Sequence, residues 1–226
     1  MKLVFAGLEH SIELAVGETA VLQVENAALF ARIVRSLQSE QGRYAVEPYT
    51  FWNGEVEVKP SSAVMLVTDV IHLPWSERSF VAAVTKRIER EYLEDEELRM
   101  QVEAAERLLQ EKLGSLNFGF NADFGFGLEW DLKRYLKFMG FGVAVQEEKT
   151  LLDNVLNFLS FALDAGCKKT ITFVNLKTFL TENELKVLYD HVFFLKLSVL
   201  LLENKKDSMT YEHEHKLTVD LRFLEH

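Results

Sequence analysis

Residues Val64-Met65-Leu66-Val67-Thr68-Asp69 constrain this chain more than any other stretch. Four consecutive apolar residues do not alternate inward and outward, so both faces of such a strand are covered. Sheets covered on both faces are typically parallel and lie between helices. A buried strand ending in Asp is also how half of a nucleotide-triphosphatase site reads. Its carboxylate emerges at the C-terminal edge of the sheet, where Mg²⁺ is held. The other half is a phosphate cradle of the form Gly-x-x-x-x-Gly-Lys-Ser/Thr, and the chain contains none. The pattern is a nucleotide-hydrolase scaffold without its phosphate loop, which favours binding over catalysis.

Three segments follow from the periodicity. In residues 1–74, Leu3–Phe5, Ile12–Ala15 and Ala20–Val24 read as strands. Asn26 is placed to cap a helix carrying Leu29, Phe30, Ile33, Val34 and Leu37, and Val64–Val70 is the next buried strand. From Phe80 to Leu113 there is no Pro or Gly, which predicts a long helical hairpin interrupted at Glu94-Asp95-Glu96-Glu97. An aromatic–glycine loop, Asn117 to Asp131, and a helix Leu132–Phe141 complete this part. Then Leu151–Leu163 reads as a helix and Thr170–Asn175 as a strand. Thr181 and Glu184 form a capping box before helix Leu185–Leu195, and Ser198–Leu202 is another buried strand. The expected architecture is α/β: a head domain from residues 1–74 and 156–226, with a helical leg, 75–155, inserted between.

A chain of 226 residues buries a substantial core. Its single cysteine, Cys167, forms no intrachain disulfide, so a reducing cytoplasm is expected. No apolar run has signal-peptide or membrane-spanning length, so no membrane partner is expected. The net charge of −10 opposes nucleic-acid binding by the surface as a whole, yet a local cluster of cations acts at short range.

The candidate chemistry is as follows. Asp69 and Glu203-Asn204 end two buried strands at the edge where α/β sheets bind ligands; a metal or nucleotide site and plain polar strand ends are the two readings. They are also the acids of the alternative function, a divergent metal-dependent NTPase or nuclease. His213 and His215 share one face if Tyr211–Lys216 is a strand, but no third metal ligand is near in sequence. His72 and His191 stand alone. Basic residues gather at Arg32/Arg35, at Lys59, at Lys86/Arg87/Arg90, and at Lys168/Lys169 with Lys177. Lys59, Lys168 and Lys169 fall at strand entrances or loops, and a symmetric oligomer would repeat them around an axis.

Val21–Val34, Val64–Asp69, Ile171–Leu185 and Leu197–Glu203 carry a resemblance. The chain resembles the short form of the CRISPR-associated Csn-two family, spacer-acquisition proteins of type II-A CRISPR systems. The resemblance implies a P-loop-ATPase-like head with a mostly parallel sheet lacking the nucleotide site, plus an inserted helical arm. It implies a homotetrameric ring that holds double-stranded DNA, commonly at ends and without sequence preference, in a basic central hole. The integrase complex and the effector nuclease of the same locus are the implied partners, and no enzymatic activity is expected. Lys59 and the pair Lys168/Lys169 match lysines before the corresponding strands of relatives. They are carried as DNA-facing candidates, together with Lys177, Arg32 and Arg35. The family's acidic run for structural Ca²⁺ is thinned here to Asp123, Glu129 and Asp131. Either Ca²⁺ is held by fewer ligands, or Phe118, Phe120, Phe124, Phe126 and Trp130 replace it by aromatic packing.

Overall fold

The computed structural model describes residues 1–122, 124–127, 129–144 and 148–226, with backbone alone at 117 and 118. In chain order the elements are β1 (Lys2–Phe5), β2 (Ile12–Glu13), β3 (Thr19–Val24), α1 (Ala27–Ser39), β4 (Tyr49–Asn53), β5 (Val56–Val58), α2 (Pro60–Ala63) and β6 (Val64–Val67). Then come α3 (Arg78–Glu94), α4 (Glu96–Gly114), α5 (Leu132–Phe138), α6 (Leu151–Asp164), β7 (Thr170–Val174), α7 (Glu182–Leu195), β8 (Val199–Glu203) and β9 (Glu214–Val219).

The chain divides into two compact units, Met1–Trp75 with Val145–His226, and Ser76–Ala144. Sequence periodicity drew the second boundary at 155, inside α6. That helix packs in the first unit, where Phe158 lies against Trp75 and Phe173.

The first unit is built on a five-stranded parallel sheet, order β6-β7-β8-β3-β9. The unalternated apolar runs are the reason. Leu200, Leu202, Leu22 and Val24 join a core cluster with α1 and strands β1 and β4. Val21, Ile171, Phe173, Val199 and Leu201 are fully buried outside that cluster. Both faces are therefore covered, as a strand of continuous apolar residues demands.

A second sheet, order β2-β1-β4-β5, is antiparallel. Only its first two strands were legible as such, and β2 is shorter than the Ile12–Ala15 expected. Its hairpin turns at Asn53-Gly54, where Gly54 has φ +61° and no Cβ to oppose it. Val64–Val67 is likewise shorter than the strand expected to reach Val70, because Asp69 pulls the chain into a turn.

In the second unit the long helical stretch breaks at Asp95. Its backbone N–H donates to Glu91 as α3 ends, and its carboxylate accepts from Leu98 N at 2.9 Å as α4 starts. Helix α5 stops at Phe138 rather than Phe141, since Gly140 takes φ +68°.

Candidate nucleic-acid interface

The two ends of the parallel sheet have opposite characters. At the C-terminal edge, where open α/β sheets hold ligands, no phosphate loop is present, and a cleft of about 320 Å³ is lined by Lys177, Glu203, Lys205, Lys206, Asp207 and Tyr211. Strand β3 passes into α1 through Glu25-Asn26 alone, and Asn26 caps the helix by accepting from Leu29 N at 3.0 Å. A phosphate cradle needs a longer loop and free N–H groups at this helix start.

Asp69 is exposed and committed to its own turn. Its Oδ1 accepts from Ile71 N and His72 N, both at 3.0 Å, and Oδ2 meets His72 Nδ1 at 2.9 Å. Hydrogen bonds from the His72 backbone and ring hold its carboxyl below the usual aspartate value. Glu203 is buried and accepts from Lys177 N at 3.0 Å. Burial pushes its carboxyl up to about 7, against the opposing backbone bond and Lys177 charge. The acids named for the enzymatic alternative end β6 and β8, with β7 between them.

Lys177 does not face outward as expected for a DNA-contacting residue. Its side chain is 8% exposed, with Nζ 2.6 Å from Asp207 Oδ2 and 2.9 Å from Glu214 Oε1. Tyr189 donates its hydroxyl to the same Glu214 oxygen at 2.8 Å, and Lys216 Nζ lies 2.7 Å from Asp207 Oδ1. Gln23 donates to Asp207 at 2.8 Å and accepts from Thr218 at 3.1 Å. Lys177 is an internal counter-ion in this network, so it is removed from the phosphate-contact set.

The N-terminal edge differs. Lys59 starts the one-turn helix α2 that feeds β6, and Lys168-Lys169 directly precede β7. Val64 and Thr170 are register partners on adjacent parallel strands, which run about 5 Å apart. The fold thus brings these lysines, distant in sequence, to the entrances of neighbouring strands. Lys59 and Lys168 are exposed and Lys169 half-exposed, and none has an ion-pair partner among the described residues. The C-termini of α6 and α7 approach the same edge, and their negative dipole ends favour lysines there. Arg32 and Arg35 stand on α1, not at a strand entrance; Arg32 is paired with Glu47, while Arg35 is exposed.

Two features of this edge escaped sequence reasoning. Lys196 precedes β8 much as Lys168-Lys169 precede β7, and its position before a third buried strand was the available signal. Glu18, at the entrance of β3, lies 3.8 Å from His213 Nδ1 and 3.5 Å from His215 Nε2. That carboxylate was invisible to a search confined to the His-x-His neighbourhood.

In the second unit, Asp123 lies outside the described residues. Asp131 accepts from Arg134 N at 2.8 Å, capping α5, and its other oxygen is 3.8 Å from Arg134 Nε. Glu129 is exposed. Among the described residues no group of three or more acids, histidines or cysteines is arranged to hold a metal. Of the three acids expected to hold calcium, Glu129 and Asp131 are described, and they are not grouped with a third ligand among the described residues. Aromatic contacts are present in the same stretch: Phe120–Phe124 at 5.4 Å and Trp130–Tyr135 at 5.0 Å between ring centroids.

Fold and edges define a class: an α/β protein without a phosphate loop at the ligand edge of its sheet and with unpaired lysines at its strand entrances. The family described as CRISPR-associated protein (Cas_Csn2) matches residues 47–220. The chain belongs to that family. Among solved structures, Stu0660 of Streptococcus thermophilus superposes with a TM-score of 0.56 at 16% identity, covering 96% of this chain and 74% of that one. At that identity the likeness is one of fold. A putative ABC transporter ATP-binding protein from Pyrococcus furiosus aligns over 96% of this chain and 97% of its own, at 9% identity and a TM-score of 0.39. No curated protein matches the chain. No helix among the described residues is long and apolar enough to cross a membrane.

Proposed function

We propose that this CRISPR-associated protein is a non-enzymatic, sequence-nonspecific binder of double-stranded DNA. It acts as a homotetrameric ring in type II-A spacer acquisition, alongside the integrase complex and effector nuclease of its locus, in the cytoplasm. One observation carries the reading: Lys59, Lys168 and Lys169 stand together, unpaired, at the entrances of β6 and β7. Their chemistry is that of phosphate contact, which gives affinity without a base code. With −10 charges per chain, most of the surface repels DNA, so binding has to concentrate where cations cluster. A ring repeats that cluster around an axis. The internal bonding of Asp69 and Glu203 supports the non-enzymatic part of the reading.

Gel shifts with linear and covalently closed duplexes of one sequence test it. Linear DNA is expected to bind, with steep weakening by salt, and closed circles to be excluded from the ring. Equal affinity for closed circles sinks threading. Charge reversal at Lys59, Lys168 and Lys169 is expected to abolish binding while leaving the tetrameric mass in light scattering unchanged.

A further inference from the structure

We infer that Phe194 and Lys196, at the end of α7, form a corner that binds the unpaired bases of a DNA end. The inference rests on the DNA-binding reading and specifies which form of DNA the lysine edge prefers.

Lys196 closes α7 in a left-handed conformation, φ +55°, that turns the chain into β8. Its Nζ sits 4.0 Å from the centroid of the Phe193 ring. His213 stacks on Phe193 at 3.9 Å with 10° between planes. A cation and a parallel ring at such distances cannot share one face, so Phe193 is sandwiched and Lys196 is held in place. No carboxylate among the described residues pairs with Lys196. Glu18, the acid at the next strand entrance, is flanked by His213 and His215.

The corner adjoins the lysine row. Two residues beyond Lys196, Ser198 Oγ lies 2.9 Å from Thr170 Oγ1, and Thr170 directly follows Lys169. Cations therefore stand at the entrances of three successive strands, β6, β7 and β8.

Phe194 supplies a different chemistry. Its ring is 76% exposed and meets Phe193 at 5.7 Å and 71°. A single exposed aromatic is unremarkable by itself. Two residues before an unpaired lysine, and with Asp190 one turn earlier on its side of α7, it offers an exposed stacking face near a cation, the combination by which single-stranded nucleic acid is held. Duplex interiors keep their base faces stacked; only frayed ends and overhangs offer one. The ligand class is thus a DNA end carrying a short unpaired overhang.

Fluorescence anisotropy with linear duplexes of equal length, blunt or with a short 3′ overhang, tests the corner. Wild type is expected to bind the overhang about tenfold tighter, the scale of one stacked base. Phe194→Ala is expected to erase that preference without changing blunt-end affinity, and Phe194→Trp to retain it. Lys196→Gln is expected to lower the salt slope by about one. Equal wild-type affinity for both ends overturns the inference, as does a preference that survives Phe194→Ala. A changed solution mass in Phe194→Ala also overturns it, assigning the ring to a subunit contact. The two readings fail separately. If charge reversal at Lys59, Lys168 and Lys169 leaves blunt DNA bound, DNA recognition by this edge falls altogether. If that reversal abolishes binding and Phe194→Ala still changes no ratio, the corner alone falls.

Discussion

Lys177 shows how one side chain changes meaning with its surroundings. In sequence it follows a buried strand and belongs to a lysine-rich neighbourhood, which reads as phosphate contact. Folded, it neutralises Asp207 and Glu214 in a pocket that leaves its side chain 8% exposed. Removing Lys177 takes away one of two cations, since Lys216 stays 2.7 Å from Asp207 and 3.3 Å from Glu214, so the cost is that of lost hydrogen bonds to charged groups, about 1–3 kcal/mol. Lys177→Met is expected to lose stability on that scale in urea titrations, while DNA affinity per folded molecule stays unchanged. Glu203 makes a second residue-level prediction. Its folded carboxyl titrates near 7, above the ordinary carboxylate range, because burial disfavours its charge. Between the unfolded and folded values the native state holds a proton that the unfolded chain has released. Its stabilising contribution is therefore complete at low pH and declines as pH rises toward 7. Relative to Glu203→Gln, the wild type is expected to weaken between about pH 5 and pH 8 in denaturation midpoints. A flat difference across that range would show that Glu203 ionises in the native state as it does in water. Neither environment is legible in sequence, since the residues that bury Glu203 and neutralise Lys177 come from distant segments.

Helices and buried strands were the most legible elements, because each writes its own local signal. Thr181 accepts from Glu184 N at 3.3 Å while Glu184 Oε2 accepts from Thr181 N at 2.8 Å, the capping box read from four residues. Thr181→Ala is expected to destabilise the first unit by about 1 kcal/mol, measured by thermal melting. Asp95 is a comparable hinge for the second unit, ending α3 and capping α4. Asp95→Ala is expected to fray the start of α4, with a small loss of helical circular dichroism and about 1 kcal/mol. What escaped were β4 and β5. Tyr49, Phe51, Val56 and Val58 flank Asn53-Gly54, a strong hairpin signal, but the sheet they join closes on β1, far back in the chain. In the second unit Asp131 serves as a helix cap, its Oδ1 accepting the Arg134 backbone N–H.

At the scale of the molecule, strand order decides which charged groups meet at each edge of the sheet. The entrance of β6, β7 and β8 gathers Lys59, Lys168, Lys169 and Lys196, while beyond the exit Asp207 is held by Lys177 and Lys216 and Lys205 and Lys206 stay exposed. This sorting depends on strand order, β6-β7-β8-β3-β9, which no local pattern states. The sequence could show that buried strands existed, but not which lysines became neighbours. Given the commitment of Asp131 to α5, exchanging Ca²⁺ for EDTA is expected to shift the melting temperature by less than about 1 °C; a larger fall on chelation would reveal a metal site. The two-residue passage from β3 to α1 has a last consequence. Nucleotide hydrolases cradle phosphate in a longer loop at this joint. Here the joint is two residues long and capped by Asn26, which leaves no loop there for a nucleotide to reshape. On the DNA-binding reading proposed above, how long it stays on its target is then decided from outside, by salt, by the end of the strand, or by a competing partner.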